Sequence, residues 1–447
     1  MNIWFQDLHQ TPTGLVLGGG GARGCYEIGL WKALDEAGIR FDCAAGTSIG
    51  ALVGAMYVQQ SLAPMIHFVE TLQPTKIAED LFAFPETLGQ WVSNRKEIGT
   101  FLSKYIFSRS GMNISPLKTA LDEMFDYSKF KESPIDYACM TFNITKRTPE
   151  AYFKSEMNAE NAENIILASA SCYPAFPVMK MDDQEYIDGG YWDNVPIDLA
   201  ARMKAQKILA VDVQGPGVVL PVNPNLDVFT IKPILPLGNF LDFTSASCMK
   251  NLEAGYLETR KLLGSLCGAI YSFEMADVAD LAFLDGYIDF MFQIHHIQIS
   301  AAEIERIEKW VCQTTPSDLS KALFAGRDEG LLVECLAYLV GMNAYQVWSL
   351  EGFLKELCLS LSKLQAKTKD MSALAKTALK QRLDKTSAVC LFHWMLTRVS
   401  LEKAKAELRS FAALYPGEIA LAWTWCFLEN VYGRENCFTT SPENERS

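Results

Sequence analysis

Three short motifs contain residue types that could together hydrolyse an ester. They are GGGGARG from Gly18 to Gly24, GTSIG from Gly46 to Gly50, and DGGYWDNVP from Asp188 to Pro196. The second motif has the form G-x-S-x-G, in which a sharp turn from a strand to a helix exposes a serine hydroxyl. Ser48 is therefore the candidate nucleophile, and small residues on both sides of it relieve the crowding of the turn.

The glycine block at the first motif predicts a close approach of bare backbone to another group, because glycine loses much conformational entropy on folding. Gly19, Gly21 and Gly24 satisfy G-x-G-x-x-G, and Asp42 lies 18 positions further on, as in a dinucleotide-binding fold. The alternative is an oxyanion hole, in which backbone N–H groups stabilise the tetrahedral intermediate of acyl transfer. The serine motif lies one strand–helix unit later and favours the oxyanion hole, since adjacent parallel strands would bring the two turns together.

A serine nucleophile needs a base that accepts its proton, and histidine is scarce in this chain. The five histidines are at positions 9, 67, 295, 296 and 393, and we predict structural roles for the last three. A carboxylate can replace histidine where burial raises its basicity. Asp188 is the candidate, because it ends a short predicted strand and precedes two glycines that allow close backbone approach.

The three motifs, in this order, resemble those of bacterial-type patatin-like phospholipases, a family of lipid acyl hydrolases with a Ser–Asp dyad. GGGARG resembles the oxyanion motif of that family, GTSIG its nucleophile elbow, and DGGYWDNVP its D-G-G block. Weaker similarity lies in ASASCYPAFPV, from Ala168 to Val178, and between Leu237 and Arg260. The resemblance extends over about residues 10 to 265 and does not include the C-terminal third.

The resemblance implies a phospholipase A-type hydrolysis through an acyl-enzyme intermediate, with neither a metal nor an organic cofactor. It implies that Ser48 is the nucleophile, that Asp188 is the base, and that the amides of Gly19, Gly20 and Gly21 form the oxyanion hole. The implied supporting residues are Arg23, Ile49, Gly46, Gly50, Gly189 and Gly190. The expected substrate is a phospholipid or another acyl-ester lipid, and peripheral contact with a membrane would suit such a substrate.

These motifs need a sheet whose strands end at one edge. Apolar runs at residues 14–17, 40–46, 137–145 and 207–213 predict strands, and the patterns at 23–37 and 48–59 predict helices between them. Strands that alternate with helices indicate an α/β fold with a mostly parallel central sheet flanked by helices. A patatin-like fold, related to the α/β-hydrolases, has this architecture.

The C-terminal third has a different pattern. Apolar residues at helical spacing predict amphipathic helices, for example at Leu350, Phe353, Leu354, Leu357, Leu361 and Leu364. We predict a catalytic domain at residues 10–290, an all-helical C-terminal domain at 291–440, and a polar tail at 441–447. Neither a helical nor a strand period dominates residues 77–110 and 215–238, and the aromatic segment Phe82–Phe107 is a candidate lid or interfacial face.

Composition argues against some function classes and indicates the cellular compartment. The net charge of −13 argues against nucleic-acid binding and against tight electrostatic docking on anionic membranes. The 12 cysteines show no paired spacing and the N-terminus shows no signal-peptide pattern, so we expect a soluble cytoplasmic protein. Export by another route is the alternative. Two other function classes stay open: a dinucleotide-binding oxidoreductase, and a catalytically weak protein that acts through its C-terminal helices.

Overall fold

The structure, a computed structural model, describes residues 3–5, 8, 11–79, 81, 111–312, 331–367, 371–378, 381–398 and 400–437. His9, the aromatic segment Phe82–Phe107 and the tail at 441–447 lie outside the described residues. The chain divides into two compact units, of which the first ends at Leu263 and the second begins at Gly264. The predicted division is at residue 290.

The first unit is built on an eight-stranded sheet. Its strands are β1 (Thr13–Leu17), β2 (Cys43–Thr47), β3 (Asp136–Asn143), β4 (Thr148–Phe153), β5 (Met179–Met181), β6 (Gln184–Asp188), β7 (Lys207–Val211) and β8 (Asp227–Ile231). The order across the sheet is β5-β6-β3-β2-β1-β7-β8, and β4 also pairs with β3. The strands β3, β2, β1, β7 and β8 are parallel, whereas β4 and β6 run antiparallel to β3. The predicted, mostly parallel sheet is confirmed.

Helices flank this sheet and bury its central strands. They are α1 (Cys25–Glu36), α2 (Ile49–Val58), α3 (Leu62–Glu70), α4 (Ser115–Met124), α5 (Tyr127–Glu132), α6 (Ala162–Ser169), α7 (Ile197–Arg202) and α8 (Ser245–Leu262). Every residue of β1 and β2 is buried, as is usual for parallel strands covered on both faces. One face of the sheet contributes alternate residues to a core with α7, for example Val16, Ala45 and Ala210 with Ile197 and Leu199.

Helices α1 and α8 approach so closely that each needs a glycine at the contact. A Cβ atom on Gly29 of α1 would lie 1.8 Å from the carbonyl oxygen of Leu252 in α8. Reciprocally, a Cβ atom on Gly255 of α8 would lie 1.9 Å from the carbonyl oxygen of Tyr26 in α1. Helix α8 thereby holds α1, which begins directly after the glycine block.

The second unit is mainly helical. Its helices are α9 (Val278–Ile294), α10 (Ala301–Cys312), α11 (Leu331–Leu339), α12 (Leu350–Lys367), α13 (Met371–Ala378), α14 (Lys385–Arg398), α15 (Leu401–Leu408) and α16 (Pro416–Cys437). It also contains a small sheet that the sequence does not predict, made of β9 (Leu266–Cys267), β10 (Ser272–Glu274) and β11 (Val347–Trp348). The buried carboxylate of Glu334 accepts hydrogen bonds from the amides of Ala269, Ile270 and Tyr271 and so holds the β9–β10 turn.

The helical stripe predicted for α12 is confirmed, since Phe353, Leu357 and Leu361 are buried. Pro416 begins α16. Proline suits that place because the first turn of a helix needs no amide donor there. In the first unit, β8 lies within the segment 215–238, where no strand is predicted. Within the described residues, no helix is both long enough and apolar enough to cross a membrane.

Candidate active site

The pairing of β3 brings Ser48 and Asp188 together. Strand β4 occupies one edge of β3 along residues 138–143, so β2 and β6 must share the other edge. On that shared edge, Thr47 at the end of β2 pairs with Met140, and Asp188 at the end of β6 pairs with Thr141. The two strands run in opposite directions and end beside consecutive residues of one strand. Asp188 therefore meets the turn that begins at Ser48.

Ser48 occupies a strained turn between β2 and α2. Its backbone has φ 58° and ψ −127°, a conformation that non-glycine residues rarely adopt. A Cβ atom on Gly46 would lie 2.2 Å from the carbonyl oxygen of Gly50, and one on Gly50 would lie 2.2 Å from that of Leu17. Both predicted glycines are therefore needed for the turn. The hydroxyl of Ser169 accepts a hydrogen bond from the Ser48 amide at 3.1 Å and donates to the Met140 carbonyl at 2.7 Å.

Asp188 is a buried carboxylate with few partners. The residue is 4% exposed, and burial raises its pKa from 3.8 to about 6. Hydrogen bonds from the Ser48 hydroxyl and from the Gly190 amide, the latter at 2.7 Å, lower the pKa but do not offset the burial. The backbone amide of Asp188 donates to the carbonyl of Ser171 at 2.9 Å. Such a group is ionised near neutral pH and is more basic than an ordinary aspartate.

The two glycines after Asp188 pack against neighbouring groups. A Cβ atom on Gly189 would lie 2.2 Å from the Met140 carbonyl oxygen, and one on Gly190 would lie 2.7 Å from Oδ1 of Asn194. The close backbone approach predicted for this pair is thus present. It allows the turn after β6 to fold back over the end of β3.

Among the described residues, two amides of the glycine block donate hydrogen bonds within the fold, and two do not. Gly18 donates to the Val211 carbonyl at 3.0 Å, and Gly19 donates to the Asn194 carbonyl at 2.9 Å. In the described part of the chain, the amides of Gly20 and Gly21 make no hydrogen bond. Of the three amides predicted for the oxyanion hole, Gly19 is therefore already engaged, and two remain for a ligand.

Asn194 fixes the orientation of this block. Its Nδ2 atom donates to the Gly19 carbonyl at 2.9 Å, while its own carbonyl accepts from the Gly19 amide. The C=O of Gly19 and the N–H of Gly20 belong to one planar trans peptide and point in opposite directions. Since the carbonyl points to Asn194, the Gly20 amide is directed away from it. Asn194 is 1% exposed, so water does not compete for this contact.

Arg23 and Ile49 pack around the helical turn that follows the glycine block. Arg23 donates from Nε to the Gly238 carbonyl at 2.9 Å and from its guanidinium to the Gln214 carbonyl. Burial lowers the pKa of Arg23. The side chain of Ile49 packs where a Cβ atom on Gly24 would be, 2.5 Å from its Cγ1 atom. Arg23 contacts backbone carbonyls and does not line the cavity described next.

Ser48 and Asp188 open onto a cavity of about 250 Å³. Gly20, Gly21 and Asn194 also line it, beside an apolar wall formed by Phe176, Val218, Phe240, Leu241 and Phe243. Among the described residues, no histidine lines it. His67 is exposed on α3, and His393 is buried in the second unit with its ring stacked 3.7 Å from that of Trp425. Within the described part of the chain, Asp188 is the one carboxylate that lines the cavity with Ser48.

Asp42 does not occupy the place of a ribose-binding acid. It precedes β2, and its carboxylate accepts from the amide and the hydroxyl of Thr13, at 2.7 and 3.0 Å. Thr13 begins β1, whereas the glycine block follows the end of β1. Asp42 therefore lies at the opposite end of the strands from the glycines, which argues against the dinucleotide alternative.

Comparison with known proteins assigns a family to part of the chain. Residues 15–201 match the family model described as patatin-like phospholipase, and that stretch includes all three motifs. These residues form a patatin-like phospholipase domain.

The chain is also similar, over part of its length, to parts of much longer proteins. It is 30% identical over 215 residues to patatin-like phospholipase domain-containing protein 7 of Rattus norvegicus, over 47% of this chain and 14% of that protein. It is 31% identical over 201 residues to lysophospholipase NTE1 of Mycosarcoma maydis, over 45% of this chain and 10% of that protein. The matched part of the chain therefore spans about a seventh or less of the length of these relatives. The predicted similarity to bacterial-type members of the family stays a prediction.

Among solved structures, the crystal structure of VipD from Legionella pneumophila matches with a TM-score of 0.37 and 15% identity. The match covers 98% of this chain and 94% of that one.

Three residues of the patatin-like domain that position the site were not singled out from the sequence. Asn194 holds the glycine block, Ser169 holds the amide of Ser48, and Ser171 holds the amide of Asp188. Each lies inside a motif that was noticed as a block, DGGYWDNVP or ASASCYPAFPV. For Asn194 and Ser169 the usable signal is a small polar residue inside a motif that forms a tight turn, because such side chains hydrogen-bond to nearby backbone groups. Ser171 acts through its backbone carbonyl, for which the residue type is no signal.

Proposed function

We propose that this protein is a lipid acyl hydrolase, a phospholipase A-type esterase that uses a Ser48–Asp188 dyad. The observation that supports it best is the convergence of three features at one end of an apolar cavity. These features are a strained serine, a buried aspartate with a raised pKa, and two amides without a partner. Each corresponds to one requirement of acyl transfer: a nucleophile, a base and an oxyanion hole.

In the first step, Asp188 accepts the proton of the Ser48 hydroxyl while the oxygen attacks the ester carbonyl. With a pKa of about 6, roughly nine-tenths of the Asp188 population is ionised at pH 7 and able to act as a base. The carbonyl oxygen becomes negative in the tetrahedral intermediate. The amides of Gly20 and Gly21 stabilise it, with support from the N-terminus of α2 at Ile49.

The intermediate then collapses to an acyl-enzyme, and the proton held by Asp188 passes to the departing alcohol. In the second step, Asp188 accepts a proton from water, which attacks the acyl carbonyl at the same oxyanion site. Ser48 leaves as the hydroxyl and regains a proton from Asp188. The steps use only groups of this chain, so the proposal includes no metal and no organic cofactor.

The substrate class follows from the walls of the cavity. Phenylalanine, leucine and valine side chains suit an acyl chain, and their burial by such a chain is favourable. We therefore include in the proposal an acyl-ester lipid as the substrate and peripheral contact with a membrane. The names of the two relatives, a phospholipase domain-containing protein and a lysophospholipase, point to the same class.

A fluorophosphonate probe tests the proposal directly, because it forms a stable ester only with an activated serine. We expect labelling of Ser48, identified by mass spectrometry of the modified peptide, and hydrolysis of a short-chain nitrophenyl ester. Ser48→Ala and Asp188→Asn should both abolish labelling. Ser360→Ala, in helix α12 of the second unit, is the matched control and should label like the unaltered protein.

Two results would contradict the dyad. The first is labelling that persists in a well-folded Ser48→Ala protein. The second is a folded, unaltered protein that neither labels nor hydrolyses the ester, which would favour a catalytically weak protein acting through its helical region. Copurification of a nicotinamide or flavin cofactor would instead favour the oxidoreductase alternative.

A further inference from the structure

Exposed apolar side chains are concentrated at one place in the first unit. Among its described residues, the large apolar side chains that face solvent are Tyr191, Trp192, Val218, Val219, Leu220 and Val222. They come from two segments, 191–192 and 218–222, which we call the apolar rim. A single exposed apolar residue is ordinary on a protein surface, whereas a confined group of six marks a contact site.

The two segments of the rim are joined by backbone hydrogen bonds. Val218 donates to the carbonyl of Gly190 at 2.9 Å, and its own carbonyl accepts from the amide of Asn194. The amide of Leu220 donates to Oδ1 of Asp193 at 3.5 Å. These bonds place the segment 218–220 directly beside Tyr191 and Trp192. The rim is therefore one surface on a hydrogen-bonded support.

The rim is continuous with the mouth of the catalytic cavity. Tyr191 and Val218 belong to both, since each lines the cavity and is also 47–48% exposed. An acyl chain that entered through an aqueous mouth would first have to cross water, which is unfavourable for every methylene group. A mouth surrounded by apolar side chains removes that barrier only when the rim is itself inserted in lipid.

The chemistry of the rim fits a neutral lipid surface. No charged residue occurs from Gln214 to Leu226, and the charged neighbour of Trp192, Asp193, is buried. Tryptophan and tyrosine prefer the interfacial region of a bilayer, with branched aliphatic side chains below them. The net charge of −13 opposes attraction to anionic lipids. We propose that the apolar rim docks this unit on zwitterionic lipid bilayers and presents the cavity mouth to them.

This proposal rests on the proposed function only for the role of the cavity, so its test separates docking from hydrolysis. Binding to phosphatidylcholine vesicles is measured by flotation in a Ser48→Ala background, which cannot hydrolyse the lipid. The variant is Trp192→Ser with Leu220→Ser. Neither residue lines the cavity, and both take part in the support through backbone atoms alone. The matched control is Phe283→Ser in α9, since Phe283 is, at 72%, the most exposed large apolar residue among those that the structure describes.

We expect the double variant to bind vesicles at least about tenfold more weakly, because losing about two buried methylene groups is already worth that factor. Phe283→Ser should bind unchanged. With Ser48 restored, the double variant should hydrolyse a soluble nitrophenyl ester at the normal rate and vesicle phospholipid more slowly. Binding should also be insensitive to salt.

The proposal is overturned if the double variant binds like the control, or if the Ser48→Ala protein does not bind phosphatidylcholine vesicles. Binding that requires anionic lipid and disappears with salt would likewise overturn it. Retention by a protein partner with no vesicle binding would assign the rim to that partner instead. Failure of the proposed function would show differently, as the absence of soluble-ester hydrolysis in the unaltered protein.

Discussion

Replacing Asp188 by asparagine should stabilise the fold while it removes activity. Asp188 is 4% exposed, and burial raises its pKa from 3.8 to about 6. The folded state therefore binds this proton more tightly than the unfolded state does. Between about pH 4 and pH 6 the folded protein holds more protons, so the free energy of unfolding decreases as the pH rises through that window.

The size of this effect follows from the pKa values. One pKa unit is worth about 1.4 kcal/mol, so the difference between 3.8 and about 6 corresponds to about 3 kcal/mol above pH 6. Asparagine has the same shape and keeps an oxygen that can accept from Gly190, but it has no charge to desolvate. Asp188→Asn should therefore raise the free energy of unfolding by up to about 3 kcal/mol at pH 8. The gain should disappear below about pH 4.

Urea unfolding, followed by hydrogen exchange of the β3 amides, measures the free energy of unfolding of the unit that contains Asp188. The experiment is run at pH 8, 6 and 4 on the unaltered protein, on Asp188→Asn, and on Asp183→Asn as an exposed control from the same unit. The control should change stability by only a few tenths of a kcal/mol. A gain that is the same at all three pH values, or a loss of stability at pH 8, would refute a costly buried charge at Asp188.

Further changes test the base, the oxyanion hole and the helix packing. The pH profile of kcat/KM should show a single acid limb with its midpoint near pH 6. Activity at pH 5 should be about tenfold lower than at pH 8, because only about a tenth of Asp188 is ionised at pH 5. A midpoint near pH 4 would contradict this prediction. Asn194→Ala should lower kcat at least about tenfold with little change in KM, since the Gly19 peptide loses its fixed orientation; steady-state kinetics that show only a KM change would argue against this role. Gly29→Ala should lower the melting temperature strongly, because the methyl group would lie 1.8 Å from a carbonyl oxygen of α8. The control Gly286→Ala should be neutral or mildly stabilising, since nothing lies within 4 Å of the added methyl group. Equal melting temperatures of the two variants would contradict the packing argument.

Local patterns were sufficient to predict the central strands and the two turns that carry the candidate nucleophile and glycine block. Apolar runs of four to nine residues predict β1, β2, β3 and β7, and the glycines at the ends of the first two runs predict the two turns. Strand β8 was missed because the proline and glycine residues around it dominate the segment 215–238. Its own residues, Asp227–Ile231, pair with β7, which is a partner far away in sequence.

Other features depend on contacts that no local pattern contains. Asn194 and Gly19 are 175 positions apart, so the orientation of the glycine block emerges only from the fold. The pKa of Asp188 depends on a competition between burial, which raises it, and two hydrogen bonds, which lower it. The sequence predicts both contributions but not which is larger. The structure shows that burial is the larger of the two.

The attachment of Ser48 and Asp188 to one edge of β3 has a consequence for how the proposed activity is controlled. Their separation is set by two consecutive residues of a buried strand, Met140 and Thr141, and a strand inside a sheet does not stretch or slip without losing its hydrogen bonds. A regulator acting elsewhere on the surface would leave the reacting atoms where they are. Its effect should appear in how fast an ester reaches the cavity, and single-turnover rates of an already bound ester should stay constant.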